Sequence, residues 1–220
     1  MGLKEAGLRG SLRSVSTEVP RIPDSEVDYF ERDSLDFYTG DTTEFVIQND
    51  VTFTTDTGDR SLKSEASDFS RVISTPGDGL PQYPAQDDRL VCRVRITENV
   101  RDPRFRFNVA DIDNHYYAAL ENDNGLFGLK KREDGSVSTL DEITATFPTD
   151  EFFHVVREPI VNDEITIGLY ENDGGELGAE LASITATDSA FVTNEGIGFA
   201  AREASSSDPI YFDDVEILYE

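Results

Sequence analysis

Arginines at alternating positions are the residues of this chain best suited to bind something. Arg93 and Arg95 alternate with Cys92 and Val94, and Arg104 and Arg106 alternate with Phe105 and Phe107. Side chains two apart share one face of a strand, so each pair offers two guanidinium groups on one side. A guanidinium grips a carboxylate through two parallel hydrogen bonds. If the two strands pair, the four arginines make one stripe. Two kinds of partner fit it: an acidic glycan or neighbouring subunit, or the chain's own Asp and Glu across the strands. Tyr116 and Tyr117, with Tyr83 and Phe127, offer faces for sugar stacking, although half of them must be core. The chain has no Trp, a residue common in sugar-binding clefts, and this counts against a lectin.

Acid–base chemistry has less to work with. Asp111 and Asp113 stand two apart, as a carboxylate pair would, but they equally suit a turn before Asn114. His115 and His154 lie beside no plausible nucleophile. Cys92 is the only cysteine, so no intrachain disulfide can form. Its run, Leu90-Val-Cys-Arg-Val-Arg-Ile96, reads as a strand with the thiol toward the core. No enzyme is expected.

Strands must position these groups. Phe105, Phe107 and Val109 alternate with polar residues, the period of a half-buried strand. His115–Glu121 and Gly125–Lys131 follow, joined by Asn, Asp and Gly, which tolerate positive φ. Glu133-Asp-Gly135 turns into Ser136–Leu140, and these strands make one wall as a meander. Further strands are expected at Val27–Glu31, Leu35–Tyr38, Thr43–Ile47, Val51–Thr54, Arg60–Ser64, Arg71–Ser74 and Arg89–Thr97. After the meander come Phe152–Glu158, Ile165–Tyr170, Ala179–Ala186, Gly196–Ala201 and Ile210–Tyr219. The stretch 76–84, rich in Pro and Gly, is a loop, and Thr187–Thr193 has the length of a helical turn. Many short strands between turn signals predict an all-β, two-sheet antiparallel sandwich of jelly-roll type.

The formal net charge is −26, with 25 Asp, 20 Glu, 15 Arg and only 4 Lys. So much like charge opposes compaction at low salt. Molar salt shortens the screening length to about 3 Å and removes most of that cost. The composition therefore points to a high-salt setting and argues against a nucleic-acid partner. No run of 18 apolar residues is present, so no membrane insertion is expected, and the N-terminus lacks the apolar core of a secretory signal.

Residues 1–25 differ from the rest. Lys4, Arg9, Arg13 and Arg21 outweigh Glu5, Glu18 and Asp24, leaving +1 there against −27 for residues 26–220. Leu3, Leu8 and Leu12 are interspersed with glycines. Two readings fit: a disordered tail, or an extended arm that docks on another acidic subunit through Leu3, Lys4, Leu8, Arg9, Leu12 and Arg13.

Residues 26–220 resemble the concanavalin A-like lectin/glucanase domains, most of all the laminin G-like and carbohydrate-binding jelly rolls. The resemblance rests on Tyr29-Phe-Glu31, Gly58-Asp-Arg-Ser-Leu62, Asn114–Leu120, Ile165–Tyr170 and Tyr211-Phe-Asp-Asp-Val-Glu-Ile217. It implies a structural calcium joining the first strand to the last, held by Glu31, the Arg60 region and Asp213 or Asp214. An oxygen-only shell suits that ion. The hydrolytic members carry Glu-x-Asp-x-x-Glu on one strand. Glu31-Arg-Asp-Ser-Leu-Asp36 approaches it, with Asp where the final Glu belongs. Such domains also occur in haloarchaea and their tailed viruses. The expectation is therefore a virion structural protein, a capsid-surface or tail-associated subunit anchored by its arm. It would sit at the virion surface in high salt, as a trimer or ring, touching other virion subunits and a host-surface glycan. The alternatives are a cellular or secreted carbohydrate-binding adhesion module and a glycan hydrolase.

Overall fold

A computed structural model describes residues 26–218, apart from 29, 31, 33, 50–59, 67, 98–100, 203 and 206. The arm residues Leu3, Lys4, Leu8, Arg9, Leu12 and Arg13, the calcium candidate Glu31 and the expected strand Val51–Thr54 lie outside the described residues.

Among the described residues there are fifteen strands: β1 (Glu26–Asp28), β2 (Thr39–Gly40), β3 (Phe45–Asn49), β4 (Arg60–Ser64), β5 (Ser70–Ser74), β6 (Arg89–Arg95), β7 (Arg101–Asp111), β8 (Asn114–Glu121), β9 (Leu126–Glu133), β10 (Ser136–Thr144), β11 (Phe152–Arg157), β12 (Glu164–Asp173), β13 (Glu176–Thr187), β14 (Gly196–Arg202) and β15 (Ile210–Leu218). They form two antiparallel sheets. The eight-stranded sheet runs β13-β12-β11-β6-β15-β4-β3, with β1 paired to β15. The seven-stranded sheet runs β10-β9-β8-β7-β14-β5-β2. This is the predicted all-β sandwich. Among the described residues, no helix is long and apolar enough to cross a membrane.

The expected meander is intact, since β7, β8, β9 and β10 are neighbours in that order. Its last turn, Asp134-Gly135, has both residues at positive φ, as a two-residue hairpin of primed type requires. Three expectations shift. Leu35–Tyr38 is turn, and the strand there is only Thr39–Gly40. Thr42–Glu44 is a 3-10 turn that precedes β3. Thr187–Thr193 forms no helical turn. There the Asp188 carboxylate accepts the Ala190 N–H at 3.0 Å and the Tyr116 hydroxyl, a local side-chain bond that competes with helix.

The inward faces meet around Phe199 of β14. Its ring lies 4.9 Å from Phe212 of the opposite sheet, 5.7 Å from Phe30 and 6.0 Å from Phe105. Each such aromatic contact adds about 0.5–1.5 kcal/mol to what burial supplies. Beside this cluster, the buried Asp28 accepts from the Phe30 N–H, the Tyr38 hydroxyl and both terminal nitrogens of Arg32. That network fastens the segment after β1 to the core. On the far side, the buried Arg157 donates to the carbonyls of Ala85, Gln86 and Asp88, which fixes the end of the loop before β6.

Candidate functional site

The two arginine pairs do not form one stripe. β6 lies in the eight-stranded sheet and β7 in the seven-stranded sheet, because the chain changes layers between Arg95 and Arg101. Leu90, Cys92 and Val94 enter the core, so Arg93 and Arg95 point out of the eight-stranded sheet, as the alternation predicts. Arg93 is buried there in an ion pair with Asp214 at 2.7 Å. Arg95 stacks on Tyr211, 5.5 Å from ring centre to guanidinium carbon.

A bulge makes the Arg93–Asp214 pair possible. In Phe212-Asp-Asp-Val-Glu-Ile217, both Phe212 and Val215 are core, which strict alternation forbids. The register slips between Asp213 and Glu216, and Asp214 takes φ +41°. One extra residue in the strand absorbs the mismatch.

Arg104 and Arg106 project from the outer face of the seven-stranded sheet, opposite the core residues Phe105 and Phe107. The register sets Arg106 beside Tyr117 on β8, and Tyr117 beside Lys130 on β9. His115 pairs with Arg132 in the same way. On the other flank, Gly198 and Ala200 of β14 face Arg106 and Arg104. Small side chains there and at Ala119 and Gly128 leave a low floor, over which the longer groups stand. Lys130, for one, lies across Gly128. Tyr116 does not join them. It is core, with its hydroxyl bonded to Asp188. Phe127 is core as well, and Tyr83 packs against the core's edge with its hydroxyl 2.8 Å from Ser74 Oγ.

Among the described residues of this face, Arg71, Arg104, Lys130 and Arg132 are matched with acids, and Arg106 is not. Arg104 donates from Nε to Asp102 at 2.9 Å and also forms an ion pair with it. Asp113 sits between Arg71 at 3.2 Å and Arg132 at 3.0 Å. Lys130 is paired with Glu121. Arg106, about 1% exposed, has no carboxylate of its own, and its Nε and Nη1 find no hydrogen-bond partner among the described residues. Phe69 packs its ring 4.7 Å from the Arg104 guanidinium and 5.8 Å from that of Arg106.

The electrostatics follow from this crowding. Burial first, and then Arg71, Arg104 and Arg132, push the Arg106 guanidinium down to about 9. Burial, followed by Arg106, Arg132 and Arg71, pushes His115 down to about 2, which keeps it neutral. The Arg132 hydrogen bond, with Arg71, draws the Asp113 carboxyl below its usual range despite some desolvation. At Arg104, burial opposes the charge, but Asp102 outweighs it and raises the guanidinium.

The carboxylates the sequence offered for chemistry are otherwise employed. Asp111 accepts from the Asp113 N–H at 2.8 Å and from Asn114 Nδ2 at 3.0 Å, as a turn residue. Asp113 neutralises two arginines. Asp36 is exposed and accepts from Ser34. Of the calcium quartet, Asp214 is taken by Arg93, Asp213 Oδ1 accepts the Asp214 N–H at 2.9 Å, and Arg60 donates to the Arg32 carbonyl at 2.6 Å. Among the described residues, no three His, Cys, Asp or Glu side chains gather where they could hold a metal. The junction of first and last strands is made by backbone, with Asp28 opposite Val215.

Sequence reading missed Phe69, Arg71, Lys130 and Arg132. The signal for the last two was available. The hairpin that sets Glu121 opposite Leu126 also sets Tyr117 opposite Lys130 and His115 opposite Arg132. Arg71 and Phe69 are brought near only by the pairing of β5 with β14.

No family model matches this sequence, and no curated protein does. Its fold is similar to that of the carbohydrate binding module CBM66 from Bacillus subtilis, with TM-score 0.56 and 16% identity over 81% of this chain and 93% of that one. It is similar to a glycoside hydrolase family 16 endo-glucanase from Bacteroides ovatus, with TM-score 0.56 and 10% identity over 87% and 98%. The exoplasmic/lumenal domain of VIP36, solved in a Ca2+/Man3GlcNAc-bound form, aligns with TM-score 0.52 and 12% identity over 86% and 91%. The chain thus has the concanavalin A-like sandwich fold, and at these identities the likeness speaks for fold alone.

Proposed function

We propose that the sandwich is a non-catalytic carbohydrate-binding module whose ligand lies across the outer face of the seven-stranded sheet. The observation that carries this reading is the gathering of Arg104, Arg106, Lys130 and Arg132 with Tyr117 and Phe69 on one face of a strongly acidic chain. Support also comes from two fold neighbours, one named as a carbohydrate binding module and one solved with a bound glycan. Catalysis is disfavoured because the carboxylates bonded on that face neutralise cations.

The setting we favour is a particle or cell surface at molar salt. A capsid-surface or tail-associated subunit of a haloarchaeal virus, held by residues 1–25, is the second reading. The charge contrast between that segment and the rest supports it. A calcium at the strand junction would have to rely on Glu31 and Asp213, since the Asp214 charge is taken by Arg93.

A glycan array probed with the full chain in molar KCl tests the main reading. Binding to a defined set of glycans, without release of reducing ends on prolonged incubation, is expected. Absence of binding across the array would overturn the module, and release of reducing ends would make it an enzyme.

A further inference from the structure

Arg106 is a buried cation to which the described residues give no counter-charge. Its side chain is about 99% buried, yet its Nε and Nη1 have no partner among the described residues. A buried charge is costly unless paired and hydrogen-bonded. Its neighbours make matters worse, because Arg71, Arg104 and Arg132 all repel it. Their acids are committed elsewhere, Asp102 to Arg104 and Asp113 to Arg71 and Arg132. The excess of Asp and Glu in this chain makes the vacancy more telling. An acidic chain could have supplied a partner at almost any neighbouring position, and the facing positions on β14 and β8 are instead Gly198 and Tyr117.

We propose that the outer face of the seven-stranded sheet binds an anionic sugar, one carrying a carboxylate or a sulfate ester, and that Arg106 receives the anionic group. This deepens the carbohydrate-binding reading and rests on it. A guanidinium presents two parallel donors to a planar or tetrahedral oxyanion. Arg104, stacked on Tyr117 at 4.9 Å, braces one side. Gly198, opposite Arg106 on the other flank, has no side chain that could pair with the guanidinium. Phe69, 36% exposed, is the part of the cover that a ligand must displace. Neutral His115 adds no competing charge below. Because the guanidinium is withdrawn from solvent, its attraction for an anion is screened by salt far less than that of an exposed cation, so the site would work in molar salt.

The test is isothermal titration of the full chain in molar KCl with four polymers: polygalacturonate, carboxyl-reduced polygalacturonate, dextran sulfate and dextran. The expected result is at least tenfold tighter binding of one anionic polymer than of its neutral counterpart, with the better of the two naming the anion. Arg106→Met should remove that preference, bringing the anionic polymer's affinity down to that of its neutral counterpart in the same variant. Arg106→Lys, which keeps charge but loses the fork, should retain only part of it and serves if Arg106→Met does not fold. Equal binding of anionic and neutral polymers would overturn the anionic site while leaving the carbohydrate module standing. An unchanged preference in both variants would also overturn it. If none of the four polymers binds, and the glycan array is blank as well, both readings fall together.

Discussion

Arg93 Nη2 and Asp214 Oδ2 meet 2.7 Å apart on the outer face of the eight-stranded sheet, with side-chain exposures of 4% and 5%. The contact is ionic, without the directionality of a hydrogen bond. Removing one member strands the other charge, which typically costs about 3–5 kcal/mol. Arg93→Met and Asp214→Asn should each lose that much in urea unfolding. The double variant should lose clearly less than the sum, because neither charge is then stranded. Since the pair is buried, the losses should persist in molar salt.

Arg106→Met should behave in the opposite way. It removes a buried cation that three other cations repel, so the variant should be more stable than the parent by about 1–3 kcal/mol. Thermal and urea midpoints would measure this. A loss of stability instead would mean that Arg106 has a structural partner and is not kept for a ligand.

The Tyr38 hydroxyl donates 2.6 Å to the buried Asp28 carboxylate. Hydrogen bonds to charged groups are worth about 1.5–3 kcal/mol. Tyr38→Phe should destabilise by that amount, and protease nicking near residues 29–33 should quicken, because the same carboxylate holds Arg32.

Gly198 has no space for a side chain. A Cβ there would stand 2.6 Å from the Val72 carbonyl oxygen and 2.9 Å from Ile73 Cγ2. Gly198→Ala should cost about 1–3 kcal/mol through overpacking. It should also weaken ligand binding, because the methyl rises beside Arg106.

Burial lowers His115 to about 2 and His154 to about 4. Both folded values lie below the unfolded one, so between these limits the unfolded chain binds more protons. Each histidine's contribution is complete above about pH 6.5 and is lost as pH falls, at up to about 1.4 kcal/mol per pH unit. Urea midpoints should therefore drop from pH 7 to pH 5. His115 Nδ1 lies 3.3 Å from the Asp111 carbonyl oxygen and His154 Nδ1 lies 3.4 Å from that of Glu171. Asparagine can replace those donors, and in His115→Asn and His154→Asn the drop should be shallower.

Alternation in the sequence settled which residues of a strand share a face, because the pleat has a period of two. It put Cys92, Phe105 and Phe107 inward and Arg93, Arg104 and Arg106 outward, as observed. Turn chemistry settled the β8–β10 part of the meander, since Asp134-Gly135 and Gly125 adopt positive φ without a bulky side chain to oppose it. The bulge was not legible in the sequence, where Ile210–Tyr219 reads as a plain strand; it follows once Phe212 and Val215 are both seen to face inward. Local pattern carries no record of which sheet a strand joins. Whether Arg93 lies near Arg104 depends on a layer change between β6 and β7, and the strand neighbours that result are far apart in sequence. The adjacent tyrosines were separated by the pleat alone, but which of them faced outward depended on where the second sheet lay. Which charges were already paired also waited on the fold. Asp102, Asp113 and Asp214 are three among 45 acidic residues, and only the tertiary arrangement brought them to Arg104, Arg132 and Arg93 and left Arg106 without one among the described residues. Ion pairing depends on distances of a few ångströms between strands, and those are fixed by packing.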